Sequence, residues 1–368
     1  MIDMARRIEN LPQVQVQDRA ADEYYACRDE LQEFVMESAM EKENIDELIG
    51  YNSPELLADY HQQHMLLMSN VFKLNEHRLL RDAIPGLYST YVSRGFSYEY
   101  FLEELPCWIR GINKYISEGY RLTLIEIYRW LEDNHENFVE VTEEEKKLTL
   151  EMKNEWHPVY DEFLDAILLK DSKECHDIIE RNITGSEDFR KAARNVIMPA
   201  LYTIGYMWQQ GNITVAEEHR ATSIASRILS SYYMEYLPES HTRGRAVISA
   251  VANEQHEIGA RMVADFLEFE GWDVSFLGAD TARRELLQMV EAERPFFLGL
   301  SVSLPQNMIS LKKTVESVRA RDSISDIRIL SGGKVLNDFP YLKEELAVDG
   351  YARDCEEAVK IANNWWDD

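Results

Sequence analysis

The stretch Ala246-Val-Ile-Ser-Ala-Val251, followed by Asn253-Glu-Gln-His-Glu-Ile-Gly259, decides the fold of the C-terminal part of the chain. The first segment is a short apolar run rich in β-branched residues, which is typical of a buried strand. The second is a polar loop that runs into a helical pattern at 257–270. A strand, a polar loop and a helix in this order indicate the first unit of an alternating α/β fold.

The alternation of strand and helix continues towards the C-terminus. Three further segments are short, apolar and typical of strands: Trp272–Leu277, Phe296–Val302 and Ile327–Leu330. After Gly332-Gly333 the strand signal weakens towards Val348–Tyr351. Helical patterns follow at 282–293, 306–321 and 355–366. This order predicts a doubly wound, Rossmann-like parallel sheet over 244–368. Ligands of such sheets bind beyond the carboxyl ends of the strands.

The segments before the sheet are helical. Four helical patterns with short connections predict a four-helix bundle over 156–238, with helices at 158–170, 172–182, 187–208 and 214–236. Residues 1–150 show helical periodicity without strand alternation. They predict an all-α domain with breaks at Pro85, Gly86, Gly95 and Pro106. The charged run 143–147 is interpreted as a solvated helix face or a linker.

The composition excludes several classes of protein. The chain has 368 residues, of which 66 are acidic and 39 basic, and its formal charge of −27 argues against direct nucleic-acid binding. The four cysteines show no CxxC spacing, so a disulfide framework is not expected. The absence of an apolar targeting segment, and of any run of about 18 apolar residues, predicts a cytoplasmic protein without a membrane span. G-x-S-x-G, P-loop and HExxH motifs are missing, and we expect no catalytic activity.

Polar residues and glycines fall at the carboxyl ends of three predicted strands. After the first strand, His256 is expected to point into the ligand crevice, and Glu254 is placed to accept the proton of its second ring nitrogen. Such a carboxylate–histidine pair is the usual environment of a metal-bound imidazole. Gly259 allows a helix or a ligand to approach closely. The third and fourth strands end in Ser301 and Ser303, whose hydroxyls share one side, and in Gly332 and Gly333.

This order of ExHxxG, SxS and GG resembles the cobalamin-binding domain of methionine synthases and related corrinoid proteins, over roughly 244–360. In that family the histidine displaces the corrinoid's own benzimidazole base and ligates cobalt, and the displaced nucleotide tail enters a slot in the domain. The resemblance implies that His256 is the lower axial cobalt ligand and Glu254 its hydrogen-bond partner. It also implies a tail slot lined by Gly259, Ser301, Ser303, Gly332 and Gly333. Many members carry Asp where this chain has Glu254, so a carboxylate is retained.

A second motif lies in the predicted bundle. Trp208 is followed after nine residues by Glu218 and His219, and this W-x9-EH pattern resembles the light-dependent B12 repressors of carotenoid synthesis. In those proteins a four-helix bundle covers the upper face of adenosylcobalamin, so the resemblance implies that these three residues lie above cobalt. The repressors have a cobalt-capturing histidine after the tryptophan, where this chain has Gln209. They also carry an N-terminal DNA-binding domain, for which this sequence shows no motif.

The first 150 residues allow two interpretations. One is an all-α domain with an aromatic core; the other is a tetrapyrrole pocket, in which Leu74, His77, Arg78 and Arg81 share one helical face. The domain order resembles the photocobilins, which join a globin-like, bilin-binding domain to the bundle and the cobalamin domain. That resemblance implies biliverdin held by His77, Arg78, Arg81, Arg94 and Trp108. Haem bound through His61, His64 or His77 is the competing ligand.

The motifs together favour a cobalamin photoreceptor that also binds a bilin. The resemblances imply that light breaks the cobalt–carbon bond of adenosylcobalamin and changes the domain or quaternary arrangement. The output is then a light-dependent homo-oligomer or a separate effector protein. Two alternatives stay open: a corrinoid protein that shuttles methyl groups for a methyltransferase system, and a regulatory module that senses haem or redox state.

Overall fold

The computed structural model describes residues 8, 10–146 and 155–368. The chain divides into two units, one made of residues 1–149 with 209–211 and the other of 150–208 with 212–368. The second unit therefore contains both the predicted bundle and the predicted sheet. None of the helices in the described ranges combines the length and the apolar character of a membrane-spanning helix. All four cysteines are free thiols.

The first unit is built from helices. Between residues 10 and 146 they are α1 Asp18–Ala26, α2 Arg28–Met40, α3 Ile45–Leu48, α4 Pro54–Leu74, α5 Arg78–Val92, α6 Tyr98–Tyr115, α7 Glu118–Asp133 and α8 His135–Glu145. No strand occurs in this described range. The prediction of helical structure here is confirmed, while a globin-like arrangement remains a prediction.

Three of the four predicted breaks in this unit are wrong. Pro85 and Gly86 lie inside α5, and Pro106 lies inside α6. An internal proline costs about 3 kcal/mol, and each helix offsets this cost by burying an extended apolar face. Only Gly95 lies at a break, with φ 102° between α5 and α6. Of the charged run 143–147, residues 143–145 end α8, and Lys147 lies outside the described residues.

Four helical rods form the bundle at the start of the second unit. The first two are α9 His157–Leu168 and α10 Ser172–Asn182, and the fourth is α13 Val215–Tyr236. The third is continuous and consists of α11 Ser186–Ala192, a π-helical turn Ala193–Ile197 and α12 Met198–Gln209. A capping box of Thr214 and Glu217 begins α13. The predicted helices agree with these bounds to within two residues at each end.

The C-terminal part is a five-stranded parallel sheet in the order β2-β1-β3-β4-β5. Its strands are β1 Arg245–Ala250, β2 Asp273–Phe276, β3 Phe297–Ser301, β4 Arg328–Gly332 and β5 Gly350–Ala352. The connecting helices are α14 Ile258–Phe269, α15 Arg283–Glu293, α16 Met308–Arg319, the short α17 Lys334–Asp338 and the terminal α18 Cys355–Asp367. α14 packs against α18, and α15 packs against α16. The doubly wound prediction is confirmed.

The strand order places a crevice between β1 and β3. The chain leaves β1 towards β2 on one side and reaches β3 on the other, so the loops after β1 and β3 diverge at this point. Open α/β sheets bind their ligands at such a switch point, outside the carboxyl ends of the strands. The loops that carry His256 and Ser303 are the two loops that flank it.

Polar and apolar contacts join the bundle to the sheet layer. The buried core of the bundle continues into that of α14 and α18. Arg261 on α14 donates to Ser226 Oγ at 3.1 Å and to Ser230 Oγ at 2.8 Å, both on α13. Arg190 on α11 forms an ion pair with Glu270 at 2.6 Å. The bundle is therefore held over α14, whose N-terminus follows the His256 loop.

Candidate functional site

Glu254 is the centre of a hydrogen-bond network at the crevice. The residue is fully buried. Its Oε1 accepts from the backbone N–H of His256 at 3.0 Å and lies 2.6 Å from His256 Nδ1. Its Oε2 accepts from the backbone N–H groups of Ser303 and Leu304, at 2.8 and 3.1 Å, and from Asn307 Nδ2 at 3.0 Å. One carboxylate thus joins the loop after β1 to the loop after β3.

The acidities of this pair follow from the network. Burial raises the pKa of Glu254, but the donors from His256, Asn307 and Ser303 outweigh it and lower the pKa to about 2. The hydrogen bond to Glu254 raises the pKa of His256. A carboxylate that stays ionised holds the Nδ1 proton of the imidazole, whether the ring is neutral or charged.

His256 is oriented as a metal ligand requires. Its side chain is 60 % exposed, in contrast to the buried Glu254. Nδ1 is engaged by Glu254, and Nε2 has no hydrogen-bond partner among the described residues. In the neutral ring, Nε2 carries the lone pair. A carboxylate that fixes the tautomer and the ring direction is the usual second partner of a metal-bound histidine. The donor set therefore fits a metal that is ligated from the open side of the crevice.

The bundle contributes charge to the same place. Glu218, in the first turn of α13, raises the pKa of His256, and Lys334 after β4 lowers it. Glu218 accepts from Thr222 Oγ1 at 2.7 Å, which fixes its carboxylate. His219 is 75 % exposed, and its Nε2 lies 3.6 Å from Glu218 Oε2. Trp208 is half-buried in the last turn of α12. The structure therefore brings Glu218 within electrostatic reach of His256.

The predicted serines and glycines at the other strand ends lie in different surroundings. Ser301 ends β3, and Ser303 follows it in the loop. A Cβ on Gly332 would lie 2.7 Å from the carbonyl oxygen of Ala352, and one on Gly333, with φ 115°, would lie 2.0 Å from that of Val302. These two glycines are thus required by the protein's own backbone. A Cβ on Gly259 would meet no protein atom within 4 Å, so close helix packing does not explain that glycine.

Two residues of this network were missed from the sequence. Asn307 is 5 % exposed, and its Nδ2 donates to Glu254 and to the backbone oxygen of Asn253. Asp280, after β2, accepts from the backbone N–H of Asn253 at 2.7 Å and supports its left-handed conformation of φ 68°. Asp280 lies in the loop after a predicted strand, where its polar side chain was an available signal, whereas Asn307 falls at the start of the helix predicted at 306–321.

A second buried carboxyl group lies in the first unit. Glu104 on α6 is 1 % exposed; it accepts from Tyr60 Oη and, at 3.2 Å, from Trp108 Nε1. His61 Nε2 and His64 Nδ1 each lie 3.6 Å from one of its oxygens. Burial raises the pKa of Glu104 to about 8 and lowers those of both histidines to about 3. Neutral groups therefore surround Trp108 at neutral pH.

Two imidazole nitrogens in this cluster lack partners. His61 Nε2 lies 2.6 Å from Tyr100 Oη, and His64 Nε2 lies 3.3 Å from Tyr128 Oη. The Nδ1 atoms of both histidines are buried without a hydrogen bond among the described residues. A buried polar atom without a partner costs about 1–3 kcal/mol. These two nitrogens can therefore each take part in one further hydrogen bond.

The other residues predicted to hold a bilin have hydrogen-bond partners of their own in the protein. His77 Nδ1 contacts the carbonyl oxygen of Pro12 at 2.8 Å. Arg78 and Arg81 form ion pairs with neighbouring carboxylates, and Arg94, which follows α5, donates to the backbone carbonyl of Thr90 in its last turn. The shared helical face with Leu74 is wrong, because the left-handed Asn75 ends α4. Leu74 thus lies on a different helix from Arg78 and Arg81.

Comparisons with known proteins agree with the site in the second unit. Two models described as "B12 binding domain" match the chain, at residues 244–360 and 159–232. A corrinoid protein of Desulfitobacterium hafniense (strain Y51) is 20 % identical, over 55 % of this chain and 95 % of that protein. The HTH-type transcriptional repressor CarH of Myxococcus xanthus is 29 % identical, over 43 % of this chain and 52 % of the repressor.

A solved structure was also found to be similar. The monomethylamine corrinoid protein of Methanosarcina barkeri gives a TM-score of 0.48 at 17 % identity, over 57 % of this chain and 99 % of that chain. The domain matches cover the bundle and the sheet, including His256 and Glu218. The chain is therefore a cobalamin-binding protein.

Proposed function

We propose that this chain is a cobalamin-dependent photoreceptor, which binds adenosylcobalamin with His256 as the lower axial ligand of cobalt. The proposal rests on the hydrogen bonding of the His256 imidazole ring. Its Nδ1 is engaged by an ionised, fully buried Glu254, while Nε2 is free of protein partners among the described residues. Glycine at 259, with no protein atom near its Cβ position, supports space for a large cofactor beside the ring.

The upper side of the site is proposed to hold the adenosyl group. Adenosylcobalamin, when bound, supplies a cobalt–carbon bond that visible light breaks. Trp208, Glu218 and His219 would hold the adenosyl group in the dark, by apolar contact and by hydrogen bonds. The loss of these contacts in light would shift the balance between two arrangements of the bundle. The influence of Glu218 on His256 supports this placement.

The output of the shift is proposed to be a change in oligomeric state or in contact with a separate effector protein. The bonds of Arg261 to Ser226 and Ser230 join α14 to α13 and are among the polar contacts that such a movement would break. The net charge of −27 argues against DNA as the direct target. Gln209 stands where the similar repressors have a histidine that captures cobalt after illumination. A cobalt–histidine bond through this position is therefore not part of the proposed light state.

Biliverdin is proposed as a second chromophore, in the first unit. The unpartnered Nδ1 atoms of His61 and His64 beside Trp108 support a tetrapyrrole with polar pyrrole and lactam groups at this cluster. Arg78 and Arg81 fit the propionates less well, since each already pairs with a carboxylate. The bilin site is therefore proposed to centre on Trp108.

A methyl-carrier function is the second candidate. The corrinoid protein of Desulfitobacterium hafniense, which is matched over 95 % of its own length, supports this candidate. A carrier must expose the upper face of cobalt to its partner enzymes. Trp208 and Glu218 on the bundle favour the photoreceptor, because they would cover that face.

The proposal is tested by loading the full chain with adenosylcobalamin and biliverdin in the dark. Absorption spectra and size-exclusion profiles are then recorded before and after green light. We expect shifted cobalamin bands, a far-red bilin band and a changed elution volume. Trp208→Ala should reduce the dark stability of the adenosyl form, while His157→Ala, on the exposed face of α9, should not. A cobalamin complex that light leaves unchanged would favour the methyl carrier.

A further inference from the structure

A second group of potential metal ligands lies on the bundle. His176, Asp177 and Glu180 on α10 each offer one ligand atom, and these atoms lie within 4.8 Å of one another. The group faces the last turns of α13, at Tyr232. Tyr232 follows Glu218 by 14 residues of one helix, which is about 20 Å along its axis. This group is therefore separate from the cobalamin site.

The spacing of the three residues suits a metal ion. His176 and Glu180 are one helical turn apart, and Asp177 and Glu180 are three residues apart, so all three side chains share one face of α10. His176 and Asp177 are each 42 % exposed, which leaves them accessible from solvent. One imidazole with two carboxylates is a donor set for zinc-like ions. Magnesium and calcium prefer oxygen ligands alone.

Tyr232 gives an independent indication of a ligand here. The residue is 4 % exposed, and its hydroxyl has no hydrogen-bond partner among the described residues. Its ring stacks on the imidazole of His176, with centroids 5.5 Å apart and an interplanar angle of 11°. Tyr232 also lines a surface pocket of about 240 Å³ together with His176, Glu180 and Glu235. A buried hydroxyl in this place requires an acceptor that the described residues do not supply.

The charges around the pocket favour a cation. Glu180 and Glu235 line the pocket, and Asp177 belongs to the ligand group. When ionised, these three neighbouring carboxylates repel one another. A divalent ion in the pocket would neutralise that repulsion. A carboxylate or water bound to the ion would accept a hydrogen bond from the Tyr232 hydroxyl.

We propose that His176, Asp177 and Glu180 bind a divalent transition-metal ion, with Zn²⁺ as the expected occupant and the Tyr232 hydroxyl donating to its ligand shell. The ion binds the folded bundle and not the unfolded chain, so it stabilises the bundle in proportion to its concentration. This site does not depend on the proposed light response, and either proposal stands or fails without the other.

Zn²⁺ binding to the full chain is measured by isothermal titration calorimetry after treatment with a chelator and dialysis. We expect one site whose affinity falls about tenfold or more in H176A and about fivefold in Y232F. His157→Ala is the matched control, because His157 is half-exposed beside Asp161 on α9. Its affinity should equal that of the native chain.

Two outcomes would overturn the proposal. Equal Zn²⁺ affinity of H176A and the native chain would place any binding elsewhere. Displacement of Zn²⁺ by an equal concentration of Mg²⁺ would indicate attraction by the acidic surface without imidazole ligation. Without metal, both histidine variants should unfold at the same temperature as the native chain. This result would verify that the substitutions leave the fold intact.

Discussion

Glu254 in the sheet unit and Glu104 in the helical unit are equally buried, and both lie beside histidine, yet their acidities are opposite. The pKa of Glu254 is about 2, and that of Glu104 is about 8. The pKa values of the neighbouring histidines shift the other way in each pair. The pKa of His256 is raised, and those of His61 and His64 fall to about 3. Burial therefore does not decide the charge of these groups.

The difference lies in the hydrogen-bond donors. Glu254 faces five donors, three of them backbone N–H groups in strand-end loops. Glu104 faces a tyrosine hydroxyl and an indole N–H, and its histidines lie at 3.6 Å, beyond hydrogen-bond distance. Loops at the end of a parallel sheet present free N–H groups, whereas helices bond theirs internally. The sheet edge thus stabilises a fixed charge, and the helical core keeps its groups neutral.

The largest expected effect is that of Glu254→Gln. The amide cannot accept from both His256 donors while it also accepts from the loop after β3, so the imidazole loses its fixed tautomer. We expect cobalamin affinity to fall about 10- to 100-fold, as for other partners of metal-bound histidines. Affinity is measured by titration with adenosylcobalamin in the dark.

Glu257→Gln is the matched control for that variant. Glu257 belongs to the same loop but accepts from the backbone of Ala279 at 3.1 Å. The affinity of this variant for cobalamin should stay within about twofold of the native value, because no side-chain hydrogen bond joins Glu257 to His256 in the described part of the chain. Equal losses in both variants would mean that loop charge, and not the Glu254–His256 bond, governs binding.

Glu104→Gln should change the pH dependence of stability. The folded pKa of about 8 lies above the ordinary value of 4.5, so the folded state binds the extra proton and the free energy of unfolding falls as pH rises through this window. His61 and His64 act in the opposite direction, but only below pH 6.5. Between pH 6.5 and 8 the Glu104 contribution amounts to about 2 kcal/mol.

Urea unfolding of both proteins at pH 6.5 and 8 measures this effect. The native chain should lose more stability than Glu104→Gln by about 2 kcal/mol over the interval. Other titrating groups are common to the two proteins and cancel in the difference. An identical pH slope would show that Glu104 is ionised in the folded protein, and that the contrast with Glu254 does not hold.

Asn307→Ala should have the smallest effect. It removes one of the five donors to Glu254 and leaves His256 Nδ1 in place. We expect a loss of about 1 kcal/mol in stability and a fewfold decrease in cobalamin affinity. A decrease as large as that of Glu254→Gln would assign to Asn307 a more direct role in the site.

The sequence predicted the structural features that depend on local interactions. The strands of the sheet were predicted to within two residues, because β-branched runs alternate with helical periods. The Glu254–His256 bond followed from a spacing of two residues in a strand-end loop. The fixed order of strands in a doubly wound sheet then brought the loops after β1 and β3 together, as general topology requires.

Contacts that depend on tertiary packing were not predictable in this way. Asn307 reaches Glu254 only because a turn at Pro305–Asn307 directs it back to the crevice. Glu104 meets His61 and His64 from a different helix, some forty residues away in sequence, and no local pattern connects them. The prolines inside α5 and α6 predict breaks from the sequence, because the sequence alone does not show how much apolar surface each helix buries.

The central claim, that His256 ligates cobalt, is tested most directly by electron paramagnetic resonance of the bound cofactor in its cobalt(II) state. The chain is prepared with ¹⁵N-labelled histidine and loaded with unlabelled cobalamin. We predict that each cobalt line splits into a doublet, because the axial nitrogen comes from the protein, and that His256→Ala removes this splitting. A triplet in the labelled protein would mean that the cofactor's own ¹⁴N base remains on cobalt, and it would contradict the account.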